Sequence, residues 1–199
     1  MNEKTIQYYD KNAEMFIAGT EHADMSEQRS RFLCYLKPGN RVLDAGCGSG
    51  RDALAFLSEG YQADAFDASE EICRIAAART GIPVKKQRFE TLEGEAEYDG
   101  IWACASLLHV QKEDLPDVMK RLYRMLKPQG VLYASFKYET AGECIKEGRY
   151  FCNLDEMQCR KLFIDAGFEI RELFITADVR TDRGGEKWVN VIGQKDTHK

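Results

Sequence analysis

"VLDAGCGSGRDALAF", Val42 to Phe56, reads as a buried strand, a loop with glycines at 46, 48 and 50, and the start of a helix. A glycine loop between a strand and a helix commonly cradles a nucleotide. The dinucleotide fingerprint G-x-G-x-x-G, counted from Gly46, needs its third glycine at position 51, where the chain has Arg51; its third glycine, Gly50, comes one place early. The chain has no G-x-x-x-x-G-K-[ST] phosphate loop. The helix N-terminus can still receive an anion, and an arginine at that point suits a carboxylate at the loop mouth.

Outward from the loop, helices and strands alternate. Helical patterns cover residues 3–18, 26–36, 52–59, 70–80, 112–126 and 154–166. Strand patterns cover 41–45, 62–66, 84–87, 98–103 and 131–137, and 168–176 and 187–195 close the chain as an antiparallel hairpin. This order predicts a Rossmann-like three-layer α/β/α fold with a seven-stranded, mostly parallel sheet. Right-handed crossovers put ligands at the carboxyl ends of the parallel strands. The 199 residues suit a single domain, divided into a helical lid (1–37), a cofactor-binding core (41–137) and a substrate-side segment (138–199).

Two acids narrow the ligand. Asp44 lies within the first strand, where an unpaired charge is expensive to bury, so it needs a partner. Asp67 ends the second strand, 21 residues after Gly46, where a carboxylate takes both hydroxyls of a ribose. A ligand with a ribose, a cationic centre and a carboxylate but no phosphate fits S-adenosylmethionine.

"VLDAGCGSG" followed by "AFDAS" resembles the class I S-adenosylmethionine-dependent methyltransferases. "YDGIWACASLLHV" (98–110) and "LKPQGVLYASFK" (126–137) extend the resemblance, which covers roughly residues 30 to 195. "LDAGCGSGRD" and "GYQADAFDAS" are most similar to the small bacterial, tellurite-resistance-type members. The resemblance implies that Asp44, Gly46, Cys47 and Gly48 line the methionine end, with Arg51 near its carboxylate. It implies Asp67 on the ribose, Ala68 and Ser69 beside the adenine, and Phe89 with Glu90 at the adenine edge, a place Arg88 competes for. Ala103, Cys104 and Ser106 would meet the methionine amino group and the transferred methyl.

His109, just past the fourth strand, is the candidate general base; packing beneath the next helix is the other reading of that residue. Tyr8, Tyr9, Phe16 and Thr20 are candidate lid residues or core of an amphipathic helix. Arg180, Arg183 and Lys187 stand in or beside the last hairpin, as surface charge or as a grip on an anionic substrate. The expected activity is in-line methyl transfer to a small-molecule acceptor, with S-adenosylhomocysteine as product. A nicotinamide-dependent oxidoreductase on a similar sheet and a non-catalytic S-adenosylmethionine-binding module are the alternatives.

Composition excludes other classes. The formal charge is −5, against the basic footprint that nucleic-acid binding needs. The start "MNEKTIQYYD" lacks the apolar stretch of a secretory signal, and no apolar run reaches membrane-span length. Seven cysteines without a CxxC pair have no metal-ligand spacing and suggest free thiols in the cytoplasm. A monomer or homodimer acting on a small molecule, with no metal, nucleic acid or membrane partner, is the resulting expectation.

Overall fold

The computed structural model describes residues 1–138, 142–180, 183 and 185–196. Nine strands and seven helices are assigned among them. β1 (Arg41–Ala45), β2 (Gln62–Asp67), β3 (Val84–Lys86), β4 (Tyr98–Ala103), β5 (Leu126–Lys137), β8 (Phe168–Ala177) and β9 (Lys187–Lys195) form one sheet in the order β3-β2-β1-β4-β5-β9-β8. β1 to β5 pair in parallel, and β9 runs antiparallel to both β5 and β8. The strand order reverses between β1 and β4, which opens a crevice at their carboxyl ends. Thr181, Asp182 and Gly184 of the β8–β9 link lie outside the described residues.

The helices are α1 (Glu3–Lys11), α2 (Ala13–Ala18), α3 (Ser26–Leu33), α4 (Arg51–Ser58), α5 (Glu70–Thr80), α6 (Leu115–Met125) and α7 (Glu156–Asp165). Their ends follow local chemistry. Ser69 caps α5 by accepting from the Ile72 N–H, and Gly81 closes it at a φ of 74°. Asp155 and Gln158 form a reciprocal capping box on α7. The pattern over 3–18 predicts one helix; the structure has two, because Asn12 leaves helical geometry and its side chain donates to the Tyr8 carbonyl. The stretch 138–153, without a strand in the sequence reading, holds a separate hairpin of β6 (Glu143–Lys146) and β7 (Arg149–Cys152). Its two-residue turn is Glu147-Gly148, with φ of 53° and 80°, the signs a tight primed turn requires.

Successive strand residues face opposite layers. Leu43, Ile101 and Leu132 join the core with residues of α6 and α7. Val42, Trp102 and Tyr133 join the one containing Phe32 of α3 and Phe56 of α4. Trp102 stacks on Tyr133 with centroids 3.9 Å apart, and Phe32 tilts against Trp102 at 5.3 Å. That packing needs a glycine on β4: a Cβ at Gly100 would stand 2.6 Å from the Phe32 Cζ and 2.8 Å from the Leu36 Cδ1. Gly100→Ala should therefore destabilise the chain by ~1–3 kcal/mol through overpacking. Equilibrium urea unfolding checks this, with Phe32→Leu expected to recover part of the loss in the double variant. An unchanged midpoint for Gly100→Ala would contradict this packing.

Candidate active site

The crevice holds two adjoining cavities that share Tyr9, Phe16, Gly46, Gly48, Ala105 and His109 as their common wall. Gly46 and Gly48 have φ of 74° and 52°, a region open chiefly to glycine. Gly46 is also where two loops touch: a Cβ there would lie 2.5 Å from the Ser106 Cβ. The Ser106 hydroxyl fastens the same approach by donating to the Ala45 carbonyl at 2.7 Å.

Asp67 lines one cavity, with Ala68, Ser69, Gln87, Phe89 and Ser106. Its Oδ1 accepts the Ser69 N–H at 3.0 Å and its Oδ2 the Gly48 N–H at 3.1 Å. Burial pushes this carboxyl up, while backbone N–H groups of Ser69, Gly48 and Ala68 pull the other way. The carboxylate still has acceptor capacity for a ligand beyond these backbone groups.

Asp44, Cys47, Arg51, Asp52 and Cys104 line the other cavity. The Asp44 Oδ2 accepts the Ala53 N–H at 3.0 Å, so this carboxyl already occupies the N-terminus of α4. Burial, reinforced by the neighbouring Asp52, raises it well above the usual carboxylate range. Asp52 goes the other way. Against the upward push of burial, Arg51, Arg29 and the Trp102 indole hold it low. Arg51 grips it through Nε at 3.1 Å and a terminal nitrogen at 2.6 Å, Arg29 at 2.8 Å and Trp102 at 3.0 Å. The other terminal nitrogen of Arg51 donates to the Thr20 carbonyl. Arg51 thus sits at the loop mouth, as its sequence position implies, but its fork is turned onto Asp52.

His109 stands in the short helical turn Leu107–His109 after β4 and is only 5% exposed. Its Nδ1 lies 2.7 Å from the Tyr150 carbonyl oxygen, which can only accept, so Nδ1 carries the proton. Nε2 is then the lone pair, and it accepts from the Tyr9 hydroxyl at 2.8 Å. Burial lowers His109 to about 4 and pushes Tyr9 up to about 12. Tyr9 meets Phe16 edge-on at 4.9 Å, and the Phe16 ring faces Gly48. Tyr9, Phe16 and Thr20 all line the cleft, whereas Tyr8 lies under the Arg149 guanidinium.

Ala103 and Glu90 are not among the lining residues. Ala103 is inside β4, paired to Ala134 and fully buried, and Ala105 reaches the cleft in its place. Ala105 does so at a φ of 50°, its N–H donating to the Ser135 hydroxyl at 2.9 Å. Glu90 pairs with the Met1 amine and Arg88 with Glu3, leaving Gln87 and Phe89 at that end of the cavity. The sequence reading also missed Ser135, Asn190 and Trp188 in the wall and the Tyr150 carbonyl behind His109.

Residues 42–130 match the family described as a methyltransferase domain. A putative methyltransferase of Bacillus subtilis is 26% identical over 127 residues, 58% of this chain and 51% of its own. An S-adenosyl-L-methionine-dependent Diels–Alderase of Talaromyces variabilis is 32% identical over 105 residues, 48% of this chain and 35% of its own. The chain thus spans about half the length, or less, of these curated relatives. Among solved structures, 1,6-didemethyltoxoflavin-N1-methyltransferase of Burkholderia thailandensis, bound to S-adenosylhomocysteine, superposes with a TM-score of 0.79 at 22% identity. That match covers 97% of this chain and 87% of the other. The seven-stranded sheet therefore has the Rossmann-like methyltransferase fold, and residues 42–130 are similar to the methyltransferase domain family.

The His109 environment predicts a pH dependence of stability. The unfolded histidine binds its proton near the ordinary 6.5 and the folded one near about 4. Between these values the unfolded chain holds more protons, so this contribution is complete above 6.5 and is lost as pH falls toward 4. At ~1.4 kcal/mol per pH unit the full loss is about 3 kcal/mol. Denaturant unfolding at neutral and acid pH should show a smaller acid loss in His109→Gln than in the parent; equal losses would contradict the assignment.

Proposed function

We propose that this chain is a class I S-adenosylmethionine-dependent methyltransferase that transfers a methyl group to a small-molecule acceptor, a reading that its fold and its match over 42–130 support. The observation that carries this reading is the wall shared by the two cavities. It places a Tyr9–His109 pair between the Asp67 half and the Asp44 half of one cleft.

The residues present fit the cofactor. Asp67 has acceptor capacity left for the ribose diol beyond its backbone hydrogen bonds. Asp44 is a buried acid with a single hydrogen bond among the described residues, suited to a cationic group. Cys47, Gly48, Arg51 and Cys104 would border the methionine end, and Ala68, Ser69, Phe89 and Ser106 the adenosine end. A nicotinamide dinucleotide fits less well, because its pyrophosphate needs a helix N-terminus. Here Asp44 caps α4 and Asp52 stands in its first turn.

When bound, S-adenosylmethionine supplies an electrophilic methyl and a neutral thioether leaving group. The protein's part is to orient, to exclude water and to move a proton. Phe16 covers the glycine loop at Gly48 with Tyr9 packed edge-on against it, and together they would keep solvent from the junction. The acceptor gives its proton to the Tyr9 oxygen while the Tyr9 proton passes to His109 Nε2, and the electron pair left on the acceptor forms the new bond. The Tyr150 carbonyl holds His109 in the tautomer this transfer needs. The resulting imidazolium returns its proton to water when the cover opens.

The formal charge of −5 supports a small acceptor over a nucleic acid, and seven cysteines without a CxxC pair support a cytoplasmic setting; we read the chain as a monomer or homodimer. We read 1–37 as cover, 41–137 as cofactor core and 138–199 as acceptor side. The small tellurite-resistance-type enzymes are the subgroup that "LDAGCGSGRD" supports. A binding module without turnover has no use for a base at the junction, and that is the observation against it.

Methyl-labelled S-adenosylmethionine incubated with the chain and a metabolite extract should yield a labelled small molecule. In single turnover, His109→Ala should lose ~10²–10⁴-fold in rate, the span of a general base, with cofactor affinity within about threefold. Tyr9→Phe should lose a comparable factor. Full-speed transfer by His109→Ala would remove this residue from the chemistry, and a labelled macromolecule would overturn the small acceptor.

A further inference from the structure

Beyond His109 the cleft changes character. Lys137, at the end of β5, is 15% exposed, with its ammonium 5.4 Å from the Phe151 ring centroid and 5.9 Å from that of Trp188. Glu186 accepts from it at 2.7 Å. Arg149, on β7, is 12% exposed and lies 4.4 Å over Tyr8 and 5.4 Å from Phe151. One of its terminal nitrogens meets Glu147, while its Nε is buried with no hydrogen-bond partner. Lys146, Arg180 and Arg183 complete this basic wall. Arg180 is held by Asp178 and Arg183 faces Glu186. Lys137 pairs with Glu186 and Arg149 with Glu147, and the ion pairs of Arg180 and Arg183 include Asp178 and Glu186. This positive lining stands out in a chain of formal charge −5.

Cations kept in a narrow cleft are costly unless an anion completes their hydrogen bonds, and guanidinium and ammonium groups meet carboxylate or phosphate with charge-assisted bonds. The aromatic faces add a second requirement. Trp188 is fixed by its indole N–H on Asp178 at 3.0 Å, and Phe151 sits against the His109 ring at 4.8 Å. Two anchored rings in the cleft wall, one of them against the base, favour a flat apolar body over a small hydrated ion.

We propose that the methyl acceptor is a small organic anion with a planar apolar body. Its carboxylate or phosphate is held by Lys137 and Arg149, and its body lies against Phe151 and Trp188. This rests on the methyl-transfer reading, and it adds the acceptor's charge and shape.

Calorimetric titration of the full chain saturated with S-adenosylhomocysteine, at constant ionic strength in chloride, tests it. The probes are benzoate, indole-3-carboxylate and phenyl phosphate, the neutral benzamide and indole-3-carboxamide, and inorganic phosphate and sulfate. At least one aromatic anion should bind tenfold or more tighter than the neutral amides and the inorganic ions, and the better of carboxylate and phosphate identifies the anionic group. Lys137→Met and Arg149→Met should each reduce that preference at least fivefold, and Arg149→Lys should restore part of it. Affinity for S-adenosylhomocysteine should be unchanged in all three, which shows that they are folded. Equal binding of amides and anions, inorganic ions binding as tightly as aromatic ones, or no probe binding to the loaded chain would each overturn the proposal. Failure of S-adenosylhomocysteine itself to bind would instead overturn the cofactor reading beneath it.

Discussion

Two carboxylates lie buried side by side at the start of α4, and water cannot stabilise them there. Asp52 keeps its charge because Arg29, Arg51 and the Trp102 indole converge on it. Asp44 then sits beside a negative charge in a dry place, and its carboxyl is driven toward the neutral form. Much of the cleft depends on this arrangement. Arg29 ties α3 to α4, and Trp102 ties β4 to the same carboxylate while stacking on Tyr133 of β5. The Tyr133 hydroxyl donates to Asn190 of β9, so the contact runs across the sheet. Removing Asp52 alone would leave buried cations unanswered, a larger loss than the net worth of the pair. A ligand bearing a cation at Asp44 would be favoured for the same electrostatic reason.

At the other side of the cleft one residue's backbone ties the N-terminal helix to His109. The Tyr150 carbonyl accepts from His109, and the Tyr150 N–H donates to the hydroxyl of Thr5 in α1. Tyr9 of α1 closes the circuit by donating to His109. The N-terminal helix, the β6–β7 hairpin and the candidate base are thus joined by three hydrogen bonds. On the proposed mechanism, opening the cover would expose His109 and withdraw the hydroxyl through which it would act, coupling cover and chemistry.

The sheet was legible because its signals are local. Apolar runs mark β1, β4 and β5, and glycines 60, 81 and 167 stop three helices near the expected places. Asp44, Asp67 and the loop glycines were legible because an acid at a strand end and glycines with positive φ leave marks in residue type. Less of the base's surroundings could be read. His109 stood out as a histidine after β4, but its tautomer is set by a backbone carbonyl 41 residues away, which has no residue signature. The partner of Arg51 was its next neighbour, Asp52, and adjacency in sequence does not reveal which way a guanidinium fork turns. The β6–β7 hairpin hid because β6 is exposed along its length and breaks the expected alternation, although the Glu147-Gly148 turn marked it.

The central claim is that this cleft is built for an adenosine carrying an amino acid and no phosphate. Calorimetric titration of the full chain with S-adenosylhomocysteine and, separately, with NAD tests it most directly. The account predicts one site for S-adenosylhomocysteine, weakened at least tenfold in Asp67→Asn, and no measurable heat with NAD. Saturable binding of NAD, with none of S-adenosylhomocysteine, would contradict it.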